Sequence, residues 1–153
     1  MTVENALWWL GRAVFVAALL GFLFRLHRAL AAPGDRPGAG RSGLLTLEAI
    51  DPDAEVWVKE RTGRERRLFP GAGVYLRGRV EIGRGPGNQV RVVDPFVSAK
   101  HCVVRQAGHR YVVADLGTTN GTRVNDRLVN GRAPLDPGTT IDVGRARFRF
   151  EVK

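Results

Sequence analysis

After residue 43 the chain breaks into short apolar-alternating runs, each closed by a turn signal. The runs fall at 44–49, 55–60, 66–69, 80–82, 90–92, 101–106, 110–115, 122–124, 127–129, 140–143 and 147–152. Alternation with a period of two places one set of side chains on a buried face and the other in solvent, as in a half-buried strand. Arg61-Thr62-Gly63-Arg64, Ala107-Gly108-His109, Asn120-Gly121, Asn125-Asp126, Asn130-Gly131 and Asp136-Pro137-Gly138 separate the runs. These are residues that tolerate positive φ or fix a turn. No ten-residue run of helical period follows Arg28. The pattern predicts an all-β sandwich of about eleven strands over residues 44–153.

The first residues are of another kind. Residues 6–24 are apolar apart from Arg12. As a helix they reach about 28 Å, close to the thickness of a bilayer core. Trp8 and Trp9 lie near one end, and Arg25, His27 and Arg28 follow the other. The positive-inside rule then puts the N-terminus outside and the remainder of the chain in the cytoplasm. Arg12, within the span, costs roughly 2.5–3.5 kcal/mol on insertion scales, which snorkelling toward the near interface reduces. A cleaved signal peptide would carry its bases ahead of the apolar core, and residues 1–5 hold none. The expected layout is a single transmembrane anchor over 1–28, a Pro/Gly-rich linker over 29–43 and a folded domain over 44–153.

Composition narrows the function. The formal charge is +9, of which residues 44–153 supply nineteen Lys and Arg against thirteen Asp and Glu. The excess reads as spread along the chain, so an anionic partner is expected but a nucleic-acid groove is not. The one cysteine, Cys102, sits in a strand run and is expected to be a buried, inert thiol, with no disulfide or metal cluster. Neither a Walker A motif nor G-x-G-x-x-G occurs. Ser98, His101 and Asp115 are the residue types of a hydrolase triad, but no nucleophile elbow or oxyanion hole accompanies them. No enzyme activity and no cofactor is expected.

One stretch gathers the groups that recognise a phosphorylated side chain. Such a side chain carries about −1.5 to −2 charges and three acceptor oxygens, and it needs a cation, hydroxyls and free backbone N–H groups converging from loops. Arg84 follows an apolar run and opens the turn Gly85-Pro86-Gly87-Asn88. Ser98 and Lys100 leave one loop together, and residues 117–121 form a polar, glycine-bounded loop.

The combination Glu81-Ile82-Gly83-Arg84, then Ser98-Ala99-Lys100-His101, then Asn120-Gly121 resembles the forkhead-associated (FHA) domain, a β-sandwich that binds phosphothreonine peptides. The resemblance covers roughly residues 44–153 and is weakest before Val80. It implies that Arg84 forks onto the phosphate, that Ser98 donates its hydroxyl, and that Lys100 and Thr119 add further contacts. It also implies that Asn120 grips the peptide backbone and that His101 holds the loops together without catalytic duty. Gly83 and Gly121 meet backbone requirements. Each role has a plainer rival: Arg84 as a turn cap, Ser98 bonding only its own backbone, Lys100 solvated, Asn120-Gly121 as a common tight turn.

The function so implied is a phosphothreonine-binding adaptor at the cytoplasmic face of a membrane, held in lipid through residues 6–24. Its partner would be a phosphothreonine-containing protein, a Ser/Thr kinase or its substrate. The rival of the same fold is a phosphate-independent interaction module in an envelope or secretion complex.

Overall fold

The computed structural model describes residues 42–153. The anchor expected over 1–28 and the linker up to residue 41 lie outside the described residues. Gly43, placed at the end of the linker on sequence, already belongs to the first strand.

Thirteen strands form in this region: β1 (Gly43–Ile50), β2 (Glu55–Lys59), β3 (Glu65–Leu68), β4 (Gly73–Leu76), β5 (Val80–Gly83), β6 (Val90–Val93), β7 (Cys102–Ala107), β8 (Arg110–Asp115), β9 (Arg123–Val124), β10 (Arg127–Leu128), β11 (Arg132–Leu135), β12 (Thr140–Val143) and β13 (Ala146–Val152). They make a six-stranded sheet in the order β10-β9-β12-β13-β1-β4 and a seven-stranded sheet in the order β11-β8-β7-β5-β6-β2-β3. The period-two alternation becomes burial. In β13 Ala146, Phe148 and Phe150 turn into the core, while Arg147 and Arg149 between them stay partly exposed. Leu45 and Leu47 of β1, Val56 of β2, Ile82 of β5 and Val104 of β7 meet them from the two facing sheets. Each such side chain contributes about 1.5–3 kcal/mol through burial. The two sheets close over one continuous core cluster running from Leu45 to Phe150, so residues 42–153 carry a hydrophobic core of their own.

Two strands exceed the sequence expectation, and each has a physical reason. β11 contains Pro134, which lacks a ladder N–H and argues against a strand. β11 is an edge strand that pairs only with β8, so its outer side asks for no donor. β4 reads Gly-Val-Tyr-Leu between Gly71 and Gly78, and its alternation is masked because only Leu76 is buried.

Topology positions the loops. β5 and β6 run parallel, with Ile82 opposite Val90, so both leave the sheet in the same direction. That brings Arg84, after β5, to the end where residues 94–101 begin after β6. β7 starts at this end and β8 finishes there, since Cys102 lies opposite Asp115. The three loops carrying the sequence signature therefore share one end of the sandwich. Cys102 follows directly, fully buried and unpaired, and burial pushes its thiol pKa up to about 12.

Candidate functional site

Backbone hydrogen bonds lace the first two loops together. Arg84 N–H donates to Ser98 O at 2.9 Å, Gly85 N–H to Ala99 O at 3.0 Å, and His101 N–H to Ile82 O at 2.9 Å. Gly83 lies at the closest approach. A Cβ there would sit 2.5 Å from Ala99 O and 3.0 Å from His101 N, so only glycine fits without moving main chain. Asn88, buried at the base of the turn, donates its amide to both Gly85 O and Ala99 O at 2.7 Å.

Arg84 is exposed at the tip of this lattice. Its Nε donates to Val97 O at 3.2 Å, which orients the guanidinium along the loop. Its two Nη groups have no partner among the described residues, so a fixed fork of N–H donors remains open. That geometry suits bidentate capture of an oxyanion. The Ser98 hydroxyl, half-buried, stands on the second loop, next to Val97. Lys100 extends its side chain, 69% exposed, to 3.4 Å from Glu81. An exposed pair of this kind is worth about 0–1 kcal/mol, so the ammonium is easily exchanged to another anion.

The third loop hangs from one carboxylate. Asp115 Oδ2 accepts from Gly117 N–H at 2.9 Å and Thr118 N–H at 3.0 Å, and Oδ1 accepts from the hydroxyls of Thr118 at 2.8 Å and Thr122 at 2.7 Å. Burial alone would raise the Asp115 pKa; the hydrogen bonds from Thr118, Thr122 and Gly117 outweigh it and hold the group below its ordinary value. With these bonds made inward, the N–H groups of Thr119 and Asn120 have no acceptor among the described residues. Thr119 is exposed at the loop tip. Asn120 spends one amide N–H on Phe96 O at 2.9 Å, which ties the third loop to the second and leaves its Oδ1 and a second N–H for a ligand. Gly121 has φ +73°, and a Cβ on it would meet Leu128 Cδ2 at 2.3 Å.

His101 closes the assembly from below. It is wholly buried. Its Nδ1 accepts from Ser98 N–H at 3.2 Å, which places the ring proton on Nε2, 3.2 Å from Gly121 O. One imidazole thus bridges the phosphate loop and the asparagine loop. Burial lowers its pKa, so the ring is held neutral in this tautomer. Both nitrogens are engaged with backbone, and Asp115 is engaged elsewhere, so Ser98, His101 and Asp115 form no proton relay.

Sequence reasoning did not single out Asp94, Asn88 or the receptor role of Asp115. Asp94 is buried; its Oδ1 accepts from Phe96 N–H at 3.0 Å, and its Oδ2 from Arg145 N–H at 2.7 Å. The signal was present in Asp94-Pro95 and in Asp115-Leu116-Gly117-Thr118, where an Asp side chain caps the backbone two or three residues on. Beside Asn120 a cleft of about 310 Å³ is lined by Phe96, Gly121, Arg123, Asp142, Gly144 and Arg145, with the Arg145 guanidinium 4.7 Å over the Phe96 ring. Among the described residues no group of three or more His, Cys, Asp or Glu side chains is placed to hold a metal ion.

Comparison with known proteins agrees with this geometry. The family model for the FHA domain matches residues 80–144. The chain is 37% identical over 68 residues to the oxoglutarate dehydrogenase inhibitor of Corynebacterium jeikeium, covering 44% of this chain and 46% of that protein. It is 35% identical over 68 residues to the glycogen accumulation regulator GarA of Mycolicibacterium smegmatis, covering 44% of this chain and 42% of that one. The matched stretch thus spans less than half of these curated relatives. Among solved structures, an FHA domain studied for phosphothreonine-dependent interactions is 31% identical with a TM-score of 0.50, covering 72% of this chain and 95% of that one. The FHA domain of Rv0020c is 30% identical with a TM-score of 0.51, covering 77% and 99%. A fold of two facing sheets, the three signature loops at one end and near-complete coverage of solved domains at this identity lead to one conclusion: the chain belongs to the FHA domain family.

Proposed function

We propose that this chain is a phosphothreonine-peptide-binding adaptor that recruits phosphorylated proteins to the cytoplasmic face of a membrane. The observation that carries the binding half is the Arg84 fork, oriented through Nε yet open at both Nη groups. Its main chain is bonded to Ser98, and the loop with unclaimed N–H groups at Thr119 and Asn120 is tied to Phe96, next to the Val97 carbonyl that holds the Arg84 Nε. Arg84, Ser98, Lys100 and Thr119 receive the phosphate, and Asn120 holds the peptide backbone. Gly83, His101 and Gly121 keep the loops in place. Similarity to a domain with phosphothreonine-dependent interactions supports the assignment. The partner is a phosphothreonine-containing protein, a Ser/Thr kinase or its substrate.

Calorimetric titration of matched peptides tests this. The phosphothreonine peptide binds; its unphosphorylated counterpart does not. The phosphoserine version binds more weakly, because the γ-methyl it lacks is worth about 1 kcal/mol on burial. Equal affinity for phosphorylated and unphosphorylated peptides would remove the phosphate site, and equal affinity for the two phospho-residues would remove the methyl preference.

The membrane half rests on the apolar run 6–24 and the bases Arg25, His27 and Arg28 that follow it. Protein carrying residues 1–153 is expected to pellet with membranes and resist carbonate extraction. A fluorescent protein that matures only in the cytoplasm should shine when fused after Lys153, and alkaline phosphatase at the same place should be silent. An alkaline-phosphatase signal would reverse the orientation.

A further inference from the structure

The strand registers sort the turns of the domain to two ends. The phosphate loops occupy one. At the other lie turn 60–64 between β2 and β3, turn 77–79 between β4 and β5, and the β7–β8 turn, where Ala107 lies opposite Arg110. Ser42 and Lys153 meet there too, through reciprocal backbone bonds of 2.9 and 3.0 Å. Gly43 opposite Leu76 in one sheet, and its N–H bond to the Tyr111 hydroxyl of the other sheet at 3.0 Å, fix these turns to one end.

Read along the sequence, the excess charge looks dispersed; the fold brings six of its cations to this end. Residues 60–80 alone hold six arginines against Glu60 and Glu65. Arg61, Arg64, Arg77, Arg79, Arg110 and Lys153 are exposed at this end, which also holds Glu60, Glu65, Asp136 and Glu151. Arg79 is paired with Glu81 at 3.2 Å, and Glu60 is engaged by Arg66 at 3.5 Å. The other five cations make no ion pair among the described residues. Tyr75, 53% exposed, lies on β4 two residues before Arg77 and adds an amphipathic ring.

From this placement we propose that the end opposite the phosphopeptide loops is a docking surface for anionic phospholipid headgroups. The cations sit on three separate turns and at Lys153. That spread suits a flat array of headgroups, whereas a nucleic-acid strand follows a continuous groove lined with aromatic rings. Position adds a second argument. The chain enters the domain at Ser42, on this same end, eighteen residues after the apolar run stops. The inference rests on the membrane reading above, but its assay does not use the anchor.

Residues 42–153, with no apolar segment, are centrifuged with vesicles of phosphatidylcholine alone and of phosphatidylcholine with phosphatidylglycerol. Sedimentation is expected only with the anionic vesicles, weakening as salt is raised. Each basic residue near an anionic surface adds about a fivefold gain in partition, so R61Q/R64Q/R77Q should lose at least about tenfold. Those positions lie on exposed turns, and peptide binding by the triple variant should match wild type. Arg84→Ala should sediment like wild type. Four outcomes would overturn the proposal: equal sedimentation with both vesicles, full retention in the triple variant, loss on Arg84→Ala, which would move headgroup phosphate into the peptide site, or equally tight binding of duplex DNA through the same three arginines. A failed topology fusion leaves this assay readable, and a failed vesicle assay leaves the anchor standing.

Discussion

Arg84→Ala removes phosphothreonine-peptide binding while leaving the domain folded. The lost contact is charge-assisted and bidentate. Truncating one partner of such a pair costs about 2–5 kcal/mol, or roughly thirtyfold to several thousandfold in Kd. Stability changes little for a structural reason. The lattice that places residue 84 is made of backbone: its own N–H on Ser98 O and the neighbouring bonds of Gly85 and His101. Only the Nε bond to Val97 O goes with the side chain, a single partly buried hydrogen bond worth about 0.5–1.5 kcal/mol. Arg84→Lys keeps the charge and loses the planar fork, so it should fall between wild type and alanine. Titration of one phosphopeptide into the three proteins, with a thermal melt of each, decides the matter. Wild-type affinity in Arg84→Ala would return the residue to the role of a turn cap.

Alternation and turn chemistry make most of the fold legible in the sequence. β8 and β12 match their sequence boundaries, because Tyr111, Val113, Ile141 and Val143 point inward without interruption. β4 and β11 were hidden for opposite reasons. β4 buries too little to alternate, and β11 breaks a strand rule that does not bind at a sheet edge. Asn125 and Asp126, read as a turn, both take positive φ, 48° and 63°, and join β9 to β10. Two-residue strands such as these are visible only because their turn is strong.

The site divides along a similar line. Groups that reach outward announce themselves by residue type: a guanidinium after a strand, a hydroxyl and an ammonium on one loop, an Asn-Gly pair. Groups that hold those loops do not. Asn88 reads as one more turn residue, yet its buried amide joins two loops eleven residues apart. Asp115 reads as a strand-ending acid, yet four donors converge on it. Such roles depend on which loops the parallel pairing of β5 and β6 brings together, and short-range spacing does not encode that. The grouping of six cations at the far end is hidden for the same reason.

His101→Ala is expected to weaken stability and binding together. The imidazole is the bridge between the loop that carries Ser98 and the loop that carries Asn120. Without it the Ser98 N–H and the Gly121 C=O lose their partners, at about 1–3 kcal/mol each where they remain buried. For a domain of this size that corresponds to a fall in Tm of about 10 °C or more. Peptide affinity should drop as well, since the two ligand-bearing loops are no longer held in register. The pH profile gives a second readout. The folded-state pKa of His101 is lowered from 6.5 by burial, so the unfolded chain binds a proton that the native ring resists. Its contribution is present in full above pH 6.5 and is lost as pH falls toward the lowered value. Asp115, lowered from 3.8, acts in the same direction but further into acid. Wild type should therefore lose stability in two stages on acidification, and His101→Ala should lack the first while keeping the second. A variant that melts like wild type but fails to bind would make His101 a ligand contact. One that melts lower yet keeps the acid-side slope just below pH 6.5 would show that another group carries that proton.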